Sequence, residues 1–220
     1  MQNIEAIIFD LDGVIVDTAR FHYQAWKKLA QEQGFYLSLE QNERLKGVSR
    51  MESLEKLFEF GEIPLPNEEE KVRLADKKND WYRKNIIKMT PKDLLPGVEK
   101  FLNELKEADY KIAIGSSSKN APTILERIGY DTFFDAVVDG NNISKSKPDP
   151  EVFLKASEAV GIKPENCVVF EDAHAGIEAA RRANMKTIGV GNKQVLFNAD
   201  NVVPDLRNMN RTIFEQLIKN

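Results

Sequence analysis

Four short apolar runs, each ending in polar or charged residues or at a glycine, constrain the fold of this chain more than any other feature. They occupy residues 5–10, 111–116, 167–172 and 186–191. None of them alternates apolar with polar residues, and uninterrupted apolar runs of this length are typical of parallel strands that are covered on both faces. Further strands are predicted in the sequences FFDAVVDG and NVVPD. The runs therefore predict a parallel sheet between two layers of helices.

Helical patterns lie between these runs. The sequence GVEKFLNELKEAD places apolar residues at helical spacing, as do PEVFLKASEAVG and, with small residues, AHAGIEAARRANM. From about residue 97 onward, helix and strand patterns alternate along the chain. This alternation predicts an α/β fold with a doubly wound, Rossmann-like parallel sheet.

Residues 18 to about 90 interrupt that alternation. Helical patterns fill this stretch, beginning with the amphipathic TARFHYQAWKKLAQEQG, and no strand pattern separates them. We therefore predict an inserted, all-α-helical cap domain at residues 17–91 (hereafter the cap), with residues 1–16 and 92–220 forming the α/β domain (hereafter the core). The mixed charges of NEEEKVRLADKKND, within the cap, are interpreted as a solvated helix face.

Composition excludes several classes of function. A formal net charge of -4 gives no electrostatic case for nucleic-acid binding. No apolar stretch approaches the ~18 residues that a membrane span requires, and the start of the sequence lacks the pattern of a signal peptide. The single cysteine, Cys167, lies beside an apolar run and is predicted to be a buried filler. We expect a cytoplasmic monomer that binds neither membranes nor nucleic acids.

Polar groups that suit phosphate chemistry gather at the ends of the predicted strands. In open α/β sheets, ligands bind outside the carboxyl ends of the strands, so these groups are expected to form one site. They are Asp10 and Asp12, Ser116, Ser117, Ser118, Lys119 and Asn120, Lys147, and Glu171 and Asp172.

Four carboxylates in one cleft need a cation to offset their mutual repulsion. Mg²⁺ is suited to this position, because it typically takes one or two carboxylates together with phosphate oxygens and water. Lys147 and the exposed amides of the serine turn at residues 116–118 are anion binders. Together these groups favour phosphoryl transfer, with an aspartate as the nucleophile.

Other sites with similar residues fit less well. An EF-hand loop starting at Asp10 would need a ligand where Val14 stands and a glycine at residue 15, but the glycine here is Gly13. The sequence GVGNKQ is an incomplete dinucleotide motif, and no Walker A sequence occurs. A glycosidase pair would use two carboxylates, but it would leave Lys147 and the serine turn unexplained.

The motifs FDLDGVIVDT, IGSSS, SKSKPDP and FEDAHAGI, in this order, resemble those of the haloacid dehalogenase superfamily of phosphotransferases. The resemblance covers essentially the whole chain, including a helical cap after the first strand. It implies that Asp10 is the phosphate-accepting nucleophile and Asp12 the general acid/base. It also implies that Mg²⁺ is held by Asp10, the main-chain carbonyl of Asp12, and Asp172, with Glu171 nearby. The transferring phosphate would be bound by Ser116, the Ser117 amide and Lys147.

The cap is similar to that of one family in this superfamily, the β-phosphoglucomutases. The sequences that carry this likeness are KGVSRMESL, AWKKLA and KKND in the cap, together with SSSKN in the core. The likeness implies a sugar-phosphate substrate, with β-glucose 1-phosphate and glucose 6-phosphate interconverted through a bound β-glucose 1,6-bisphosphate. His22 and Lys78 would help to couple cap closure to Asp12, with Thr18 at the hinge. The substrate and its distal phosphate would be held by Gly47, Val48, Ser49, Arg50, Ser118, Lys119 and Asn120.

Two residues depart from the family pattern. Ala173 stands where relatives commonly have Ser, and Ser117 stands where they often have Ala. If only the backbone N–H of Ser117 is used, the second change is expected to be neutral. Neither departure affects the nucleophile, the acid/base or the metal.

The core motifs fit a sugar-phosphate phosphatase as well as a mutase, and more distantly a non-catalytic phosphosugar-binding protein. A mutase needs a closing lid and a second phosphate site, and the cap and the GVSR and SKN sequences predict both. These features favour the mutase.

Overall fold

The computed structural model describes residues 3–219, which contain six strands. The strands are β1 (Ala6–Phe9), β2 (Lys111–Gly115), β3 (Ala136–Val138), β4 (Cys167–Glu171), β5 (Lys186–Val190) and β6 (Asn201–Val203). All are parallel and form one sheet in the order β3-β2-β1-β4-β5-β6. The order reverses between β1 and β4, so the crevice that binds ligands in such sheets is expected at the carboxyl ends of these two strands.

Nine α-helices accompany the sheet in the described part of the chain. They are α1 (Ala19–Glu32), α2 (Leu39–Glu43), α3 (Arg50–Phe60), α4 (Glu68–Ile86), α5 (Val98–Glu107), α6 (Ala121–Ile128), α7 (Glu151–Ala159), α8 (His174–Arg182) and α9 (Arg211–Leu217). Short 3₁₀ turns occur at Pro91–Asp93 and Pro164–Asn166. Among residues 3–219, no helix combines the length and apolar character needed to cross a membrane.

Both faces of the sheet are covered, which explains the uninterrupted apolar runs. Successive side chains of a strand point to opposite faces. Ile7 packs in one apolar cluster with Phe101 of α5, whereas Ile8 packs in another with Phe153 of α7 and Ala180 of α8. The predicted doubly wound parallel sheet is therefore confirmed.

The helices α1, α3 and α4 form a third apolar cluster, which includes Trp26, Leu29, Leu57 and Leu74. Between residues 18 and 90 the structure has no strand, in agreement with the sequence pattern. The two segments that lead into and out of this region lie side by side, since the Leu95 amide donates to the Ile15 carbonyl at 2.9 Å. The placement of the domain boundaries at residues 16–17 and 91–92 stays a prediction.

The helix α4 corrects one interpretation made from the sequence. The Asn67 side chain caps its first turn by accepting from the Glu70 amide at 2.9 Å. Its charged run is not simply a solvated face, because Lys71 and Lys78 are buried. Lys71 pairs with Glu55 of α3 at 2.7 Å, and Lys78 faces α1. The charge pattern of one helix could not reveal partners that other helices supply.

The structure also contains two short helices that the sequence patterns did not predict, α2 and α9. Cys167 is fully buried in β4, as predicted, and burial raises the pKa of its thiol to about 12.

Candidate active site

Asp10 directly follows β1 and forms an ion pair with Lys147. The Asp10 amide extends the strand by donating to the Phe170 carbonyl of β4 at 2.9 Å. Lys147 Nζ donates to Asp10 Oδ1 at 2.6 Å and to Glu171 Oε2 at 2.8 Å. Burial alone would lower the pKa of Lys147, but the two carboxylates raise it above its ordinary value. A cation is thus fixed beside the predicted nucleophile.

The turn after Asp10 brings the first and fourth motifs together. Gly13 has a φ of +92°, and a Cβ there would lie 2.3 Å from Asp172 Oδ2. Only glycine fits both this backbone conformation and this close approach. The turn therefore places Asp12 beside the carboxyl end of β4, although the two motifs are far apart in sequence.

Asp12 is partly buried and hydrogen-bonded to the cap. Thr18 Oγ1 donates to Asp12 Oδ1, and the Tyr82 hydroxyl donates to the same oxygen at 3.3 Å. Burial, followed by the charge of Asp10, raises the pKa of Asp12 to about 6, while the two donors act in the opposite direction. A carboxyl with this pKa can take up and release a proton near neutral pH.

His22 and Lys78 lie together behind Asp12. Lys78 Nζ is 2.8 Å from His22 Nδ1, and the His22 ring lies 4.0 Å from that of Tyr82. Burial and the neighbouring Lys78 lower the pKa of His22 well below its ordinary value, and burial and Arg50 do the same for Lys78. The α1–α4 contact thus places His22, Lys78 and Thr18 in one group around Asp12, as the resemblance implied. Their roles in closure stay predictions.

Three carboxylates provide a group that can hold a divalent cation. Oxygen atoms of Asp10, Glu171 and Asp172 all lie within 4.8 Å of one another. Burial raises the pKa of Asp172 to about 7, and burial together with Asp10 raises that of Glu171, against the effect of Lys147. The raised pKa values reflect the cost of burying several negative charges together, and a hard cation with oxygen ligands would offset that cost. These residues therefore fit the predicted Mg²⁺.

The serine turn after β2 forms a second side of the cavity. Ser116 is buried, and its Oγ accepts from the Ser118 amide at 3.1 Å. The Asn120 amide in turn donates to Ser118 Oγ at 3.2 Å, immediately before α6 begins. The Ser117 hydroxyl donates to the Gly47 carbonyl of the cap at 3.0 Å. The Ser117 side chain thus has a hydrogen-bond partner of its own, so the condition under which this residue was expected to be neutral, use of its backbone N–H alone, is not met here.

Arg50 begins the helix α3 and faces the cavity from the cap. Ser49 is the N-cap residue, and its side chain accepts from the Glu52 amide at 3.2 Å. Arg50 Nη1 donates to Asp76 Oδ1 of α4 at 2.9 Å. Across the cavity, Asn120 Nδ2 donates to Asn79 Oδ1 at 3.0 Å. The cap and the turn at residues 116–120 therefore meet where the distal phosphate is predicted to bind.

A cavity of about 500 Å³ connects most of these groups. Most of the predicted site residues line it; of the others, Thr18, Glu171 and Lys147 are fully buried beside them. Those in the lining are Asp10, Asp12, His22, Gly47, Val48, Ser49, Arg50, Lys78, Ser116, Ser117, Ser118, Lys119, Asn120 and Asp172.

Sequence reasoning missed several residues of this site. Tyr82 lies one helical turn after Lys78, so the spacing of four residues could have placed it on the same face. Lys46 Nζ reaches Asp172 Oδ2 at 3.4 Å from the cap, and its position directly before GVSR was the available signal. Asp76, which pairs with Arg50, carried no signal apart from its charge.

Comparison with known proteins identifies relatives of this chain. The family model described as haloacid dehalogenase-like hydrolase matches residues 7–190. The chain is 46% identical to a β-phosphoglucomutase of Bacillus subtilis over 202 residues, 91% of this chain and 89% of that protein. A solved β-phosphoglucomutase from Clostridium difficile is 43% identical with a TM-score of 0.93, covering 98% of this chain and 97% of that one. A phosphorylated carbohydrates phosphatase of Thermotoga maritima is 33% identical over 187 residues, 84% of each protein.

Proposed function

This chain belongs to the haloacid dehalogenase-like hydrolase family, and we propose that within it the chain is a phosphomutase, an isomerase. It interconverts β-D-glucose 1-phosphate and glucose 6-phosphate through an aspartyl phosphate on Asp10 and a β-glucose 1,6-bisphosphate intermediate. The similarity to two β-phosphoglucomutases at more than 40% identity supports this activity.

The observation that carries the proposal is a single cavity with anion-binding groups at both ends. At one end, on the core, Ser116 lines the cavity beside the nucleophile Asp10, and Lys147 lies buried behind Asp10, with which it pairs. Arg50 and the turn at residues 118–120 lie at the other, where cap and core meet. A phosphatase needs only the first end, whereas a mutase must hold both phosphates of a bisphosphate. The guanidinium of Arg50 can bind a phosphate through two parallel hydrogen bonds.

In the first half of the reaction, the 6-hydroxyl of β-glucose 1-phosphate attacks the phosphorus carried by Asp10. The bond between Asp10 and phosphorus breaks as the bond to the 6-oxygen forms, and Asp12 accepts the hydroxyl proton. The pKa of Asp12, raised to about 6, suits this exchange. Thr18 and Tyr82 hold the carboxyl in place through their hydrogen bonds.

In the second half, the bisphosphate is bound in the reverse orientation. An oxygen of Asp10 attacks the phosphorus of the 1-phosphate, and Asp12 returns its proton to the sugar oxygen that leaves. The product is glucose 6-phosphate, and the phosphate is again on Asp10. Lys147 stays beside Asp10 throughout and offsets negative charge in the transition state.

The metal ion of the proposal is Mg²⁺, held by Asp10, Asp172 and the main-chain carbonyl of Asp12, with Glu171 adjacent. It would supply positive charge to phosphate oxygens during transfer. Both carboxylate oxygens of Glu171 are held in place. Oε1 accepts from the Ala173 amide at 3.0 Å, and Oε2 accepts from Lys147.

The phosphatase alternative shares the same nucleophile and differs only in the acceptor, which is water. A direct test supplies wild-type protein and Mg²⁺ with β-glucose 1-phosphate and a trace of the bisphosphate. Glucose 6-phosphate is expected with the wild type and none with Asp10→Asn, which cannot form the phosphoenzyme. Steady release of free phosphate without glucose 6-phosphate would favour the phosphatase.

A further inference from the structure

Two serine hydroxyls of the core reach across to one short segment of the cap, residues 47–52. The Ser117 hydroxyl donates to the Gly47 carbonyl at 3.0 Å, and the Ser146 hydroxyl donates to Glu52 Oε2 at 3.2 Å. We propose that Ser117 and Ser146 are positioning residues that hold this segment on the core while substrate is bound. The inference rests on the proposed function, because it assigns these hydroxyls a role in the same reaction.

The position of the two hydrogen bonds is the first argument. They hold the segment near its two ends, and Arg50, the proposed ligand of the distal phosphate, lies between them. Ser117 comes from the turn after β2, whereas Ser146 comes from the loop before α7, directly beside Lys147. Two separate core loops therefore fix the part of the cap that carries Arg50.

The backbone of Gly47 is shaped for such a contact. Its φ of +74° belongs to the left-handed region that favours glycine. A Cβ at this position would lie 3.1 Å from the Cβ of Ala173, so the cap backbone comes close to the core on that side too. The Gly47 carbonyl is thus presented to the Ser117 hydroxyl by a turn that lies directly against the core.

Besides the hydrogen bonds of Thr18 and Tyr82 to Asp12, two further cap–core contacts of the cavity differ in kind from those of the serines. Lys46 contacts Asp172 at 3.4 Å, and Asn79 contacts Asn120 at 3.0 Å. Asp172 and Asn120 are proposed ligands of the metal and of the distal phosphate, so these contacts compete with bound ligands. By contrast, Ser146 binds the Glu52 carboxylate, to which no ligand is assigned, and Ser117 binds the Gly47 carbonyl, which is an acceptor and does not compete for phosphate oxygens.

Ser117 also connects the two ends of the cavity. Its amide is proposed to bind the transferring phosphate, and its hydroxyl binds the segment that carries Arg50. Phosphate bound to the core therefore orders the residue that holds the cap. In this arrangement the Ser117 side chain positions the cap, and the Ser117 amide binds the phosphate.

The first test is kinetic and uses Ser117→Ala, Ser146→Ala and the double variant. One hydrogen bond of ordinary strength corresponds to a rise of about fivefold in KM for β-glucose 1-phosphate for each hydroxyl removed, with a larger rise in the double variant. We expect kcat to change less than KM, because the reacting groups remain. Ser117→Thr, which keeps a hydroxyl, should restore a KM near that of the wild type. Ser144→Ala is the matched control, since its hydroxyl bonds to Glu151 within the core at 2.8 Å.

The second test measures closure without catalysis. Tyr36 of the cap and Phe197 of the core are exposed, and replacing both with cysteine allows spin labelling, while the buried Cys167 stays unlabelled. In the double variant Ser117→Ala, Ser146→Ala, the mean distance between the two labels should lengthen or the distribution of distances should broaden. The distances should stay unchanged with Ser117→Thr or Ser144→Ala. Distances in the double serine variant that match the wild type would overturn the proposal, as would an unchanged KM. If the wild type makes no glucose 6-phosphate, the proposed function fails, and the distance measurement still decides the role of the serines.

Discussion

Lys147 Nζ lies 2.6 Å from Asp10 Oδ1, and both side chains are buried. The same ammonium also lies 2.8 Å from Glu171 Oε2, so one cation compensates two carboxylates that solvent cannot reach. Desolvated charges are tolerated only with such partners. This pair fixes the Asp10 side chain beside a buried positive charge, in the position proposed for the nucleophile.

We expect Lys147→Ala to destabilise the protein by about 3 kcal/mol, because it leaves buried charges unpaired. The free energy of unfolding, from urea denaturation at neutral pH, checks this. Lys100→Ala is the control: Lys100 is an exposed lysine paired with Glu104 at 3.7 Å, and its loss should cost less than ~1 kcal/mol. Equal stability of the two variants would contradict the account of the buried pair.

Asp12→Ala should separate proton transfer from phosphorylation. Mutase turnover is expected to fall by about 10² to 10⁴, the usual contribution of a general acid/base. Phosphorylation of Asp10 by acetyl phosphate should largely survive, because its leaving group is a carboxylate that needs no proton. Mg²⁺ binding, measured by calorimetry, should also persist, since the proposed Asp12 contact is main-chain. A comparable loss in both phosphorylation and turnover would remove Asp12 from the acid/base role.

Tyr82→Phe should shift the pH dependence of turnover. The Tyr82 hydroxyl lowers the pKa of Asp12 by donating to its carboxylate, so removing it raises that pKa above about 6. Asp12 must be ionised to accept the substrate proton. With a higher pKa, the Asp12 carboxyl of the variant becomes protonated at a higher pH than in the wild type. The acid limb of the kcat/KM profile is therefore expected to move to higher pH. Tyr110→Phe is the control and should leave the profile unchanged, because Tyr110 directly precedes β2, at the opposite end of that strand from the site. A limb that stays fixed or moves to lower pH is the contrary result.

Arg50→Ala should weaken binding of the distal phosphate more than it slows transfer of the reacting phosphate. Loss of a charged hydrogen-bonding group predicts a fall in kcat/KM for β-glucose 1-phosphate of about ten- to a hundredfold. Phosphorylation by acetyl phosphate, which has no distal phosphate, should change much less. Arg44→Ala is a suitable control, because that arginine is an exposed cap residue over the Phe60 ring. If both reactions of the Arg50 variant fall equally, Arg50 does not hold the distal phosphate.

The sheet and the position of the site could be predicted because both depend on patterns that are local in sequence. Continuous apolar runs indicate strands that are buried on both faces, and polar residues at strand ends indicate the edge of the sheet where ligands bind. The four motifs converge as expected, and Lys147 reaches Asp10 across 137 residues of chain.

What the sequence could not show depends on contacts between distant elements. Lys78 was expected near the site but also within a solvated run, and only the packing of α4 on α1 resolves that conflict. The Ser117 hydroxyl finds its acceptor in the cap, 70 residues away, on a carbonyl that no side-chain pattern marks. Lys46 and Asp76 act through pairings with Asp172 and Arg50 that likewise arise only on folding.

The most direct test of the central claim compares two products in the same sample. Wild-type protein with Mg²⁺, β-glucose 1-phosphate and a trace of β-glucose 1,6-bisphosphate is assayed at once for glucose 6-phosphate and for free phosphate. The account predicts that glucose 6-phosphate accumulates far faster than phosphate, and that Asp10→Asn forms neither. Phosphate release that equals substrate consumption, with no glucose 6-phosphate, would contradict it.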